Sequence, residues 1–177
     1  MNVPYERGRS RSPLIASAAA TAYGEPPRLT RHTGAELTAL IGLLTGIETV
    51  VVGHSRDDES RAAARAFAAG WRRLGKEIIT TVDWPETAAS WLRHARRLTG
   101  PAPDAWVVAA APLGFAQLSR RLRYSTGWDP RRTFAFASLH DPRLPALAGP
   151  ETVRGLRGVT ADGGSWEARG SHLLPHA

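Results

Sequence analysis

Apolar residues recur with a period that changes from one stretch of this chain to the next, and the changes predict a fold. Residues 49–53 form a short β-branched run that ends at a polar turn, 54–58. A helical pattern follows as far as Leu74, and residues 77–82 form a second run typical of a strand. Strand, polar turn, helix and strand in this order indicate a βαβ unit of a parallel sheet.

Three further runs have the pattern of strands, and helical patterns separate them. The run 104–111 is continuously apolar, as expected of a central strand that is covered on both faces. Five strands that alternate with helices predict a three-layer αβα domain with a mainly parallel sheet of order 2-1-3-4-5. The other two strands are predicted at 133–139 and 156–161, and a short hinge strand is predicted at 14–16.

Local signals predict where three of the helices begin. Thr33 and Glu36 form a capping box in front of an apolar helical face. Ser55 and Asp58 offer a second capping pair directly after the first strand. Asp83 precedes an early proline, so the third helix is expected to start there.

The length of 177 residues and the hydrophobic fraction of 42% favour one domain with a hydrophobic core. We expect a disordered arm at 1–12, a single lobe at 13–163 and a disordered, Gly-rich tail at 164–177. The chain contains no cysteine, which excludes disulfides and thiolate chemistry. No apolar run reaches the roughly 18 residues that a membrane span needs.

The stretch near the N-terminus allows two interpretations. Basic residues in front of a short apolar run at 13–22, with small residues at its end, are typical of a secretory signal. The run is short, however, and its only strongly apolar residues are Leu14 and Ile15. The alternative is the hinge strand followed by a loop of small residues, in which case we expect the chain as written to be cytoplasmic.

The net charge of +7 raises the question of nucleic-acid binding. The basic pairs stand at the ends of separate predicted elements, and no nucleic-acid-binding motif accompanies them. We therefore expect a solvated basic surface and no nucleic-acid partner. The pairs are Arg72-Arg73, Arg96-Arg97, Arg120-Arg121 and Arg131-Arg132.

Polar residues gather where the predicted strands end. His54 and Ser55 follow strand 1, and Ala111 ends strand 3; in the predicted order these two ends form the switch point where open sheets bind ligands. Ser138 and His140 follow the next strand, so a Ser-His-Asp set can be assembled from this edge. The Gly-x-Ser-x-Gly elbow does not occur, and a hydrolase that uses His54 or His140 is therefore a secondary alternative.

Other chemistries lack their sequence signals. The six histidines have no spacing typical of metal ligands within one element. Neither the Gly-x-Gly-x-x-Gly pattern nor the P-loop pattern occurs. We expect no metal and no cofactor, and the small residues at the predicted edge leave room for a small molecule or a protein surface.

Several segments in order resemble the type I periplasmic solute-binding proteins, in particular the branched-chain amino-acid-binding branch of the ABC transporter substrate-binding proteins. Such proteins have two lobes that close on a ligand, and the resemblance covers one lobe only. It implies a periplasmic-binding-protein-like lobe, an amino-acid-like solute as ligand and a membrane permease as partner. The segments are 13–21, 49–74, 75–79, 103–108, 118–127 and 155–159.

The resemblance also implies ligand contacts at matching positions. Ala19 and Thr21 fall in the small-residue loop that holds the carboxylate of the ligand. Glu59 falls where the family has an aromatic residue, and Ala111 where it has a larger polar or aromatic group. Ser138 falls where an acidic residue pairs with an amino-acid ammonium group. With the residues after strand 1, the predicted ligand-binding set is Ala19, Thr21, His54, Ser55, Glu59, Ala111 and Ser138.

Taken with the absence of a catalytic motif, the resemblance predicts a non-enzymatic lobe that binds a small molecule. The first alternative is an interaction or sensing module whose exposed edge docks on a partner protein or on a second copy of the chain. An interaction module that docks on a second copy should be oligomeric, so a monomer at high concentration would argue against that version. The second alternative, a hydrolase, requires His54 or His140.

Overall fold

A computed structural model of the chain describes residues 14–15 and 17–176, so the arm predicted at 1–12 lies outside the described residues. The helices are α1 (Ser17–Tyr23), α2 (Gly34–Leu43), α3 (Asp58–Arg73), α4 (Trp91–Thr99), α5 (Pro112–Ser125) and α6 (Leu144–Ala148). The strands are β1 (Thr49–Ser55), β2 (Glu77–Trp84), β3 (Ala105–Ala109), β4 (Thr133–Ala135), β5 (Arg157–Val159), β6 (Ser165–Arg169) and β7 (His172–Pro175). Short 3-10 helices span Pro130–Arg132 and Ala137–Leu139.

The strands of the described chain form one sheet of order β2-β1-β3-β4-β5-β6-β7. The first five strands are parallel and follow the predicted order 2-1-3-4-5, which confirms the fold class. β6 and β7 extend the sheet in antiparallel fashion, so the described chain has seven strands instead of the predicted five. The prediction of disorder in the tail is therefore wrong for residues 165–175.

Alternating burial explains why the tail forms strands. Trp166 and Ala168 are buried, whereas Ser165 and Glu167 are partly exposed, and this period of two is that of a strand with one buried face. The Trp166 indole nitrogen donates a hydrogen bond to the Val159 carbonyl oxygen at 3.0 Å, which joins β6 to the parallel part of the sheet. The glycines and polar residues around it conceal this pattern in the sequence.

Two predicted boundaries are wrong. Leu14 and Ile15 belong to no strand and Ala16 lies outside the described residues, while the alanine-rich residues that follow form α1 because alanine has the highest helix propensity. Helix α4 begins at Trp91 instead of Asp83, because β2 continues through Trp84, whose side chain is fully buried.

The helix caps agree with the sequence in one case and differ in another. At α2 the predicted capping box forms: the Thr33 hydroxyl accepts from the Glu36 amide at 3.0 Å, and the Glu36 carboxylate accepts from the Thr33 amide at 3.2 Å. At α3 the cap is Asp57, whose carboxylate accepts from the Ser60 amide at 2.7 Å. Ser55 does not cap this helix because it is the last residue of β1.

Two apolar layers cover the sheet. Helices α2 and α3 pack on one face, against Val50 and Val52 of β1. Helices α1, α4, α5 and α6 pack on the other face, against Val51 and Val108. Neighbouring strand residues enter opposite layers because their side chains alternate across the sheet. No helix in the described part of the chain has the length and apolar character to cross a membrane.

Gly158 in β5 gives a direct test of how closely β6 packs. A Cβ atom there would overlap the Trp166 ring and would lie 2.8 Å from the Ala135 carbonyl oxygen. We expect Gly158→Ala to lower the free energy of unfolding by about 1–3 kcal/mol, as overpacking does elsewhere. Urea denaturation measures this change. Gly42→Ala is the matched control, because a Cβ at Gly42 meets no atom within 4 Å and alanine suits a helix; equal losses in the two variants would contradict the packing described here.

Candidate functional site

A cavity of about 510 Å³ opens beside the carboxyl ends of β4 and β5, and we refer to it as the carboxyl-edge cavity. Its walls come from the segment 27–32, the beginnings of α2 and α3, the segment 136–143 after β4, and Thr160 and Ala161 after β5. Open α/β sheets bind ligands at this edge. The cavity lies on the β4–β5 side of the switch point between β1 and β3.

The Glu36 carboxylate holds two walls of the cavity together. Its side chain is almost fully buried, and one oxygen accepts from the Thr33 amide in the capping box. The other oxygen accepts from the Ala137 amide at 2.7 Å, which fastens the turn after β4 to the start of α2. The Thr33 hydroxyl adds a 2.5 Å hydrogen bond to the Ala161 carbonyl oxygen after β5. The two residues that cap α2 thus also connect this helix to the segments after β4 and β5.

Three polar atoms on the cavity wall are buried and have no hydrogen-bond partner among the described residues. They are the hydroxyl oxygens of Ser60 and Ser138 and the Nδ1 nitrogen of His32. Leaving a buried polar atom unpaired costs about 1–3 kcal/mol, so such atoms are usually paired in a complete assembly. All three belong to residues that line the cavity, and they come from three different segments of its wall.

Some charged groups of the cavity form an ion pair with each other, and others have no charged partner within the described chain. Asp141 and Arg143 neutralise each other: a guanidinium nitrogen of Arg143 lies 2.7 Å from one carboxylate oxygen, and the Arg143 Nε donates to the other at 3.0 Å. Arg28 and Glu59 also line the cavity, and neither makes an ion pair or side-chain hydrogen bond within the described chain. One positive and one negative group are therefore available to a solute.

The Asp141–Arg143 pair also connects the cavity to α1. Arg143 donates to the Tyr23 carbonyl oxygen at 3.0 Å, and its guanidinium lies 4.1 Å from the centre of the Tyr23 ring. The Tyr23 hydroxyl lies 3.5 Å from the Asp141 carboxylate. Burial, followed by the negative charge of Asp141, raises the pKa of Tyr23 to about 12, so the phenol stays protonated well into the alkaline range.

The structure brings together two members of the predicted ligand-binding set. Glu59 in the first turn of α3 and Ser138 after β4 face the same cavity although 79 positions separate them in the sequence (138 − 59). Their roles as ligand contacts stay a prediction. Ser60 beside Glu59 has the stronger physical signal, because its hydroxyl is buried and unpaired.

Ser55 and Ala111 meet at the switch point and bond to each other. The Ser55 hydroxyl is fully buried, and it accepts from the Ala111 amide at 2.8 Å. Glu86 closes the same place from the loop after β2, since its carboxylate accepts from the Gly114 amide at 3.0 Å in the first turn of α5. The groups that could receive a ligand at the switch point are thus occupied by the chain itself.

The other three predicted residues lie elsewhere. His54 points to the α3 side of the sheet and lines a separate cleft between α3 and β2. Its Nδ1 atom lies 2.7 Å from the Ser55 carbonyl oxygen. Ala19 packs against the core, and Thr21 is exposed on α1, so the small-residue loop expected at these positions is a helix.

The arrangement lacks the contacts of a serine hydrolase. In the described part of the chain, no hydrogen bond joins a serine hydroxyl to a histidine ring; the Ser138 hydroxyl is unpaired, and the His140 ring stacks on Trp166 at 5.7 Å. His54 and His140 line different depressions. No group of three His, Cys, Asp or Glu side chains within the described residues is placed to hold a metal ion.

Sequence reasoning missed three residues of the site: His32, Glu36 as a cavity residue, and Ser60. Glu36 was visible as half of a capping box, but its second hydrogen bond crosses 101 positions to Ala137 and leaves no local signal. Ser60 directly follows Glu59 in the first turn of α3, so its place beside a predicted contact was the only sequence signal that it lines the cavity. His32 lies in an irregular segment, where no periodicity indicates its direction.

The sequence matches no protein-family model and no curated protein. The fold, in contrast, is similar to several solved structures. A substrate-binding periplasmic protein from Ralstonia solanacearum superposes with a TM-score of 0.60 and 17% identity, over 72% of this chain and 36% of that one. An extracellular ligand-binding receptor from Verminephrobacter eiseniae superposes with a TM-score of 0.60 and 16% sequence identity, over 82% of this chain and 42% of that one.

A branched-chain amino acid ABC transporter periplasmic ligand-binding protein from Burkholderia xenovorans has the same fold, with a TM-score of 0.56, 11% identity, and coverage of 71% of this chain and 33% of that one. At such identities the likeness establishes the fold alone. The chain spans roughly a third to two fifths of the length of these proteins. It therefore has the fold of one lobe of a periplasmic ligand-binding protein, as the sequence resemblance predicted.

The Asp141–Arg143 pair predicts a pH dependence of stability. Burial raises the pKa of the Asp141 carboxyl, but hydrogen bonds from Arg143 outweigh it and hold that pKa below its ordinary value. The stabilisation is therefore complete above the unfolded-state pKa of about 4 and is lost as pH falls through the lower folded-state value. We expect Asp141→Asn to lower the free energy of unfolding at pH 7 by about 1–3 kcal/mol.

The difference between wild type and Asp141→Asn should shrink as the pH is lowered below about 4, as measured by urea denaturation at a series of pH values. Asp58→Asn is the control, because Asp58 also pairs with an arginine but its side chain is 94% exposed. A difference that stays constant down to pH 2 would contradict the charge pairing described.

Proposed function

We propose that this chain is a solute-binding lobe that holds a small, polar, amino-acid-like molecule in the carboxyl-edge cavity and performs no chemistry on it. The observation that carries the proposal is the set of unpaired polar atoms on the cavity wall, the Ser60 and Ser138 hydroxyls and His32 Nδ1. These side chains line the cavity, so a solute can bond to their polar atoms once the side chains rotate toward it, and this recovers the cost of leaving the atoms unpaired. The fold supports the proposal, since solved structures with this lobe are described as ligand-binding proteins.

The charges of the cavity suit the same class of solute. Glu59 can receive an ammonium group and Arg28 a carboxylate, while Phe136 and Ala63 supply apolar wall. The buried Glu36 is already engaged in holding the fold, because each of its oxygens accepts a main-chain amide. The solute is thus expected to carry both signs of charge or hydrogen-bonding groups in their place.

The affinity should be modest. In two-lobed proteins of this fold class a ligand is enclosed between two surfaces, whereas the carboxyl-edge cavity is an open depression on one lobe. Deep sites bury most of the surface of a small ligand, and an open one leaves part of it in water. By the same likeness, a second lobe or a membrane permease is the natural partner of a loaded lobe, and we include this in the proposal.

Branched-chain amino acids are predicted to bind poorly. Their aliphatic side chains would leave the Ser60 and Ser138 hydroxyls unpaired, and sites built to hydrogen-bond discriminate against ligands that lack the partner group. We expect calorimetry with Leu, Ile or Val at millimolar concentration to show no measurable binding. A micromolar dissociation constant for any of the three would contradict this expectation.

The main experiment is a thermal-shift screen of the full chain against polar amino acids and hydroxy acids, followed by calorimetry on each solute that raises the melting temperature. The double variant Ser60→Ala/Ser138→Ala should bind a hit about tenfold or more weakly, since each lost hydrogen bond is worth about 0.5–1.5 kcal/mol. Without solute, the same variant should be at least as stable as the wild type, because the removed hydroxyls are unpaired.

Ser90→Ala is the matched control, because Ser90 is exposed in front of α4, caps nothing with its side chain and lies outside the cavity. It should leave solute binding unchanged. Equal weakening by Ser90→Ala, a screen without a single hit, or a double variant that loses stability but retains binding would each overturn the assignment of the cavity.

A further inference from the structure

A second depression of about 380 Å³ lies between α3 and β2, on the flank of the sheet, and four arginines line it; we refer to it as the arginine cleft. It shares no lining residue with the carboxyl-edge cavity. Its only carboxylate among the described lining residues is Asp83. The arginines are Arg56, Arg61, Arg65 and Arg72.

Two of the four positive charges are compensated and two are not. Arg56 pairs with Asp83 at 2.6 Å, and Arg61 pairs with Asp58 at 2.7 Å. Arg65 and Arg72 are exposed and make no ion pair or side-chain hydrogen bond within the described chain. The cleft therefore presents an excess of positive charge in a concave surface, where low-dielectric walls strengthen the local field.

The spacing of the arginines indicates the shape of the occupant. Arg61, Arg65 and Arg72 stand at i, i+4 and i+11 on α3, which places them along one helix face. At 1.5 Å per residue this row is about 16 Å long. A peptide in extended conformation covers the same distance with about five residues. Ala64 and Ala68 between the arginines are small and leave the guanidinium groups accessible.

We propose that the arginine cleft docks an acidic, extended segment of a partner protein. Guanidinium groups form paired hydrogen bonds with carboxylates, and Arg65 and Arg72 have all their donors available for this. A two-fold contact between the clefts of two copies does not fit, because it would set the two arginine rows against each other. Nucleic acid fits less well, because the described lining contains no tryptophan, tyrosine or phenylalanine on which bases could stack.

The proposal is independent of solute binding, although α3 takes part in both. Glu59, Ser60 and Ala63 face the carboxyl-edge cavity, whereas Arg61, Ala64 and Arg65 face the arginine cleft. The two sites lie on different sides of the same helix. A partner on the arginine cleft would thus contact the helix whose first turn forms part of the solute cavity.

Fluorescence anisotropy of the full chain with a labelled peptide of about ten residues that alternates Glu and Ser tests the proposal. We expect binding at about 20 mM salt that weakens markedly at about 150 mM, and a Gln-Ser peptide should not bind. Arg65→Glu/Arg72→Glu should weaken binding of the acidic peptide by about tenfold or more.

Arg96→Glu/Arg97→Glu on α4 is the control, because these exposed arginines change the net charge equally but lie outside the cleft. It should keep the affinity within about threefold, and circular dichroism should show both variants folded. Equal weakening by both pairs would overturn the proposal, because net charge would then explain the binding. It would also be overturned if a single-stranded oligonucleotide or anionic lipid vesicles bound through Arg65 and Arg72 more tightly than the acidic peptide.

Discussion

The buried carboxylate of Glu36 is the interaction on which the candidate site depends. Its two oxygens accept hydrogen bonds from the amides of Thr33 and Ala137, which lie far apart in the sequence. A carboxylate is suited to this because it has acceptor sites on both oxygens and no proton that needs a partner. Without it, the Thr33 and Ala137 amides would lose their acceptor, and the turn that carries Ser138 would lose its attachment to α2.

The usual ligand position of such sheets, the switch point between β1 and β3, is filled by the chain's own side chains, and a cavity lies elsewhere along the same edge. At the switch point between β1 and β3, the Ser55 hydroxyl and the Glu86 carboxylate occupy the main-chain amides at the start of α5. The carboxyl-edge cavity beside β4 and β5, in contrast, retains unpaired polar atoms. Helix α3 lies between this cavity and the arginine cleft, so one helix contributes to two different surfaces. The cavity carries charged groups of both signs, whereas the cleft is strongly basic.

Much of the fold could be predicted from the sequence, and the misses have identifiable causes. The order of the parallel strands follows from short β-branched runs that alternate with helical faces, and connection handedness leaves few alternatives. The strands β6 and β7 were missed because glycines and charges surround Trp166, whose burial depends on the space left by Gly158. The start of α4 was misplaced because Asp83-Trp84-Pro85 has the composition of a helix start, while the burial of Trp84 keeps this stretch in β2.

The sequence by itself determined the αβα class, the parallel order of the first five strands, the capping box at Thr33 and the carboxyl edge as the place for a site, because each depends on local period or on general rules of chain connection. Only the tertiary structure decided which polar groups at that edge are free. Ser55 is bonded to Ala111, whereas Ser60 and Ser138 are unpaired. This difference arises from hydrogen bonds between residues distant in the chain, and such bonds leave no trace in a local pattern.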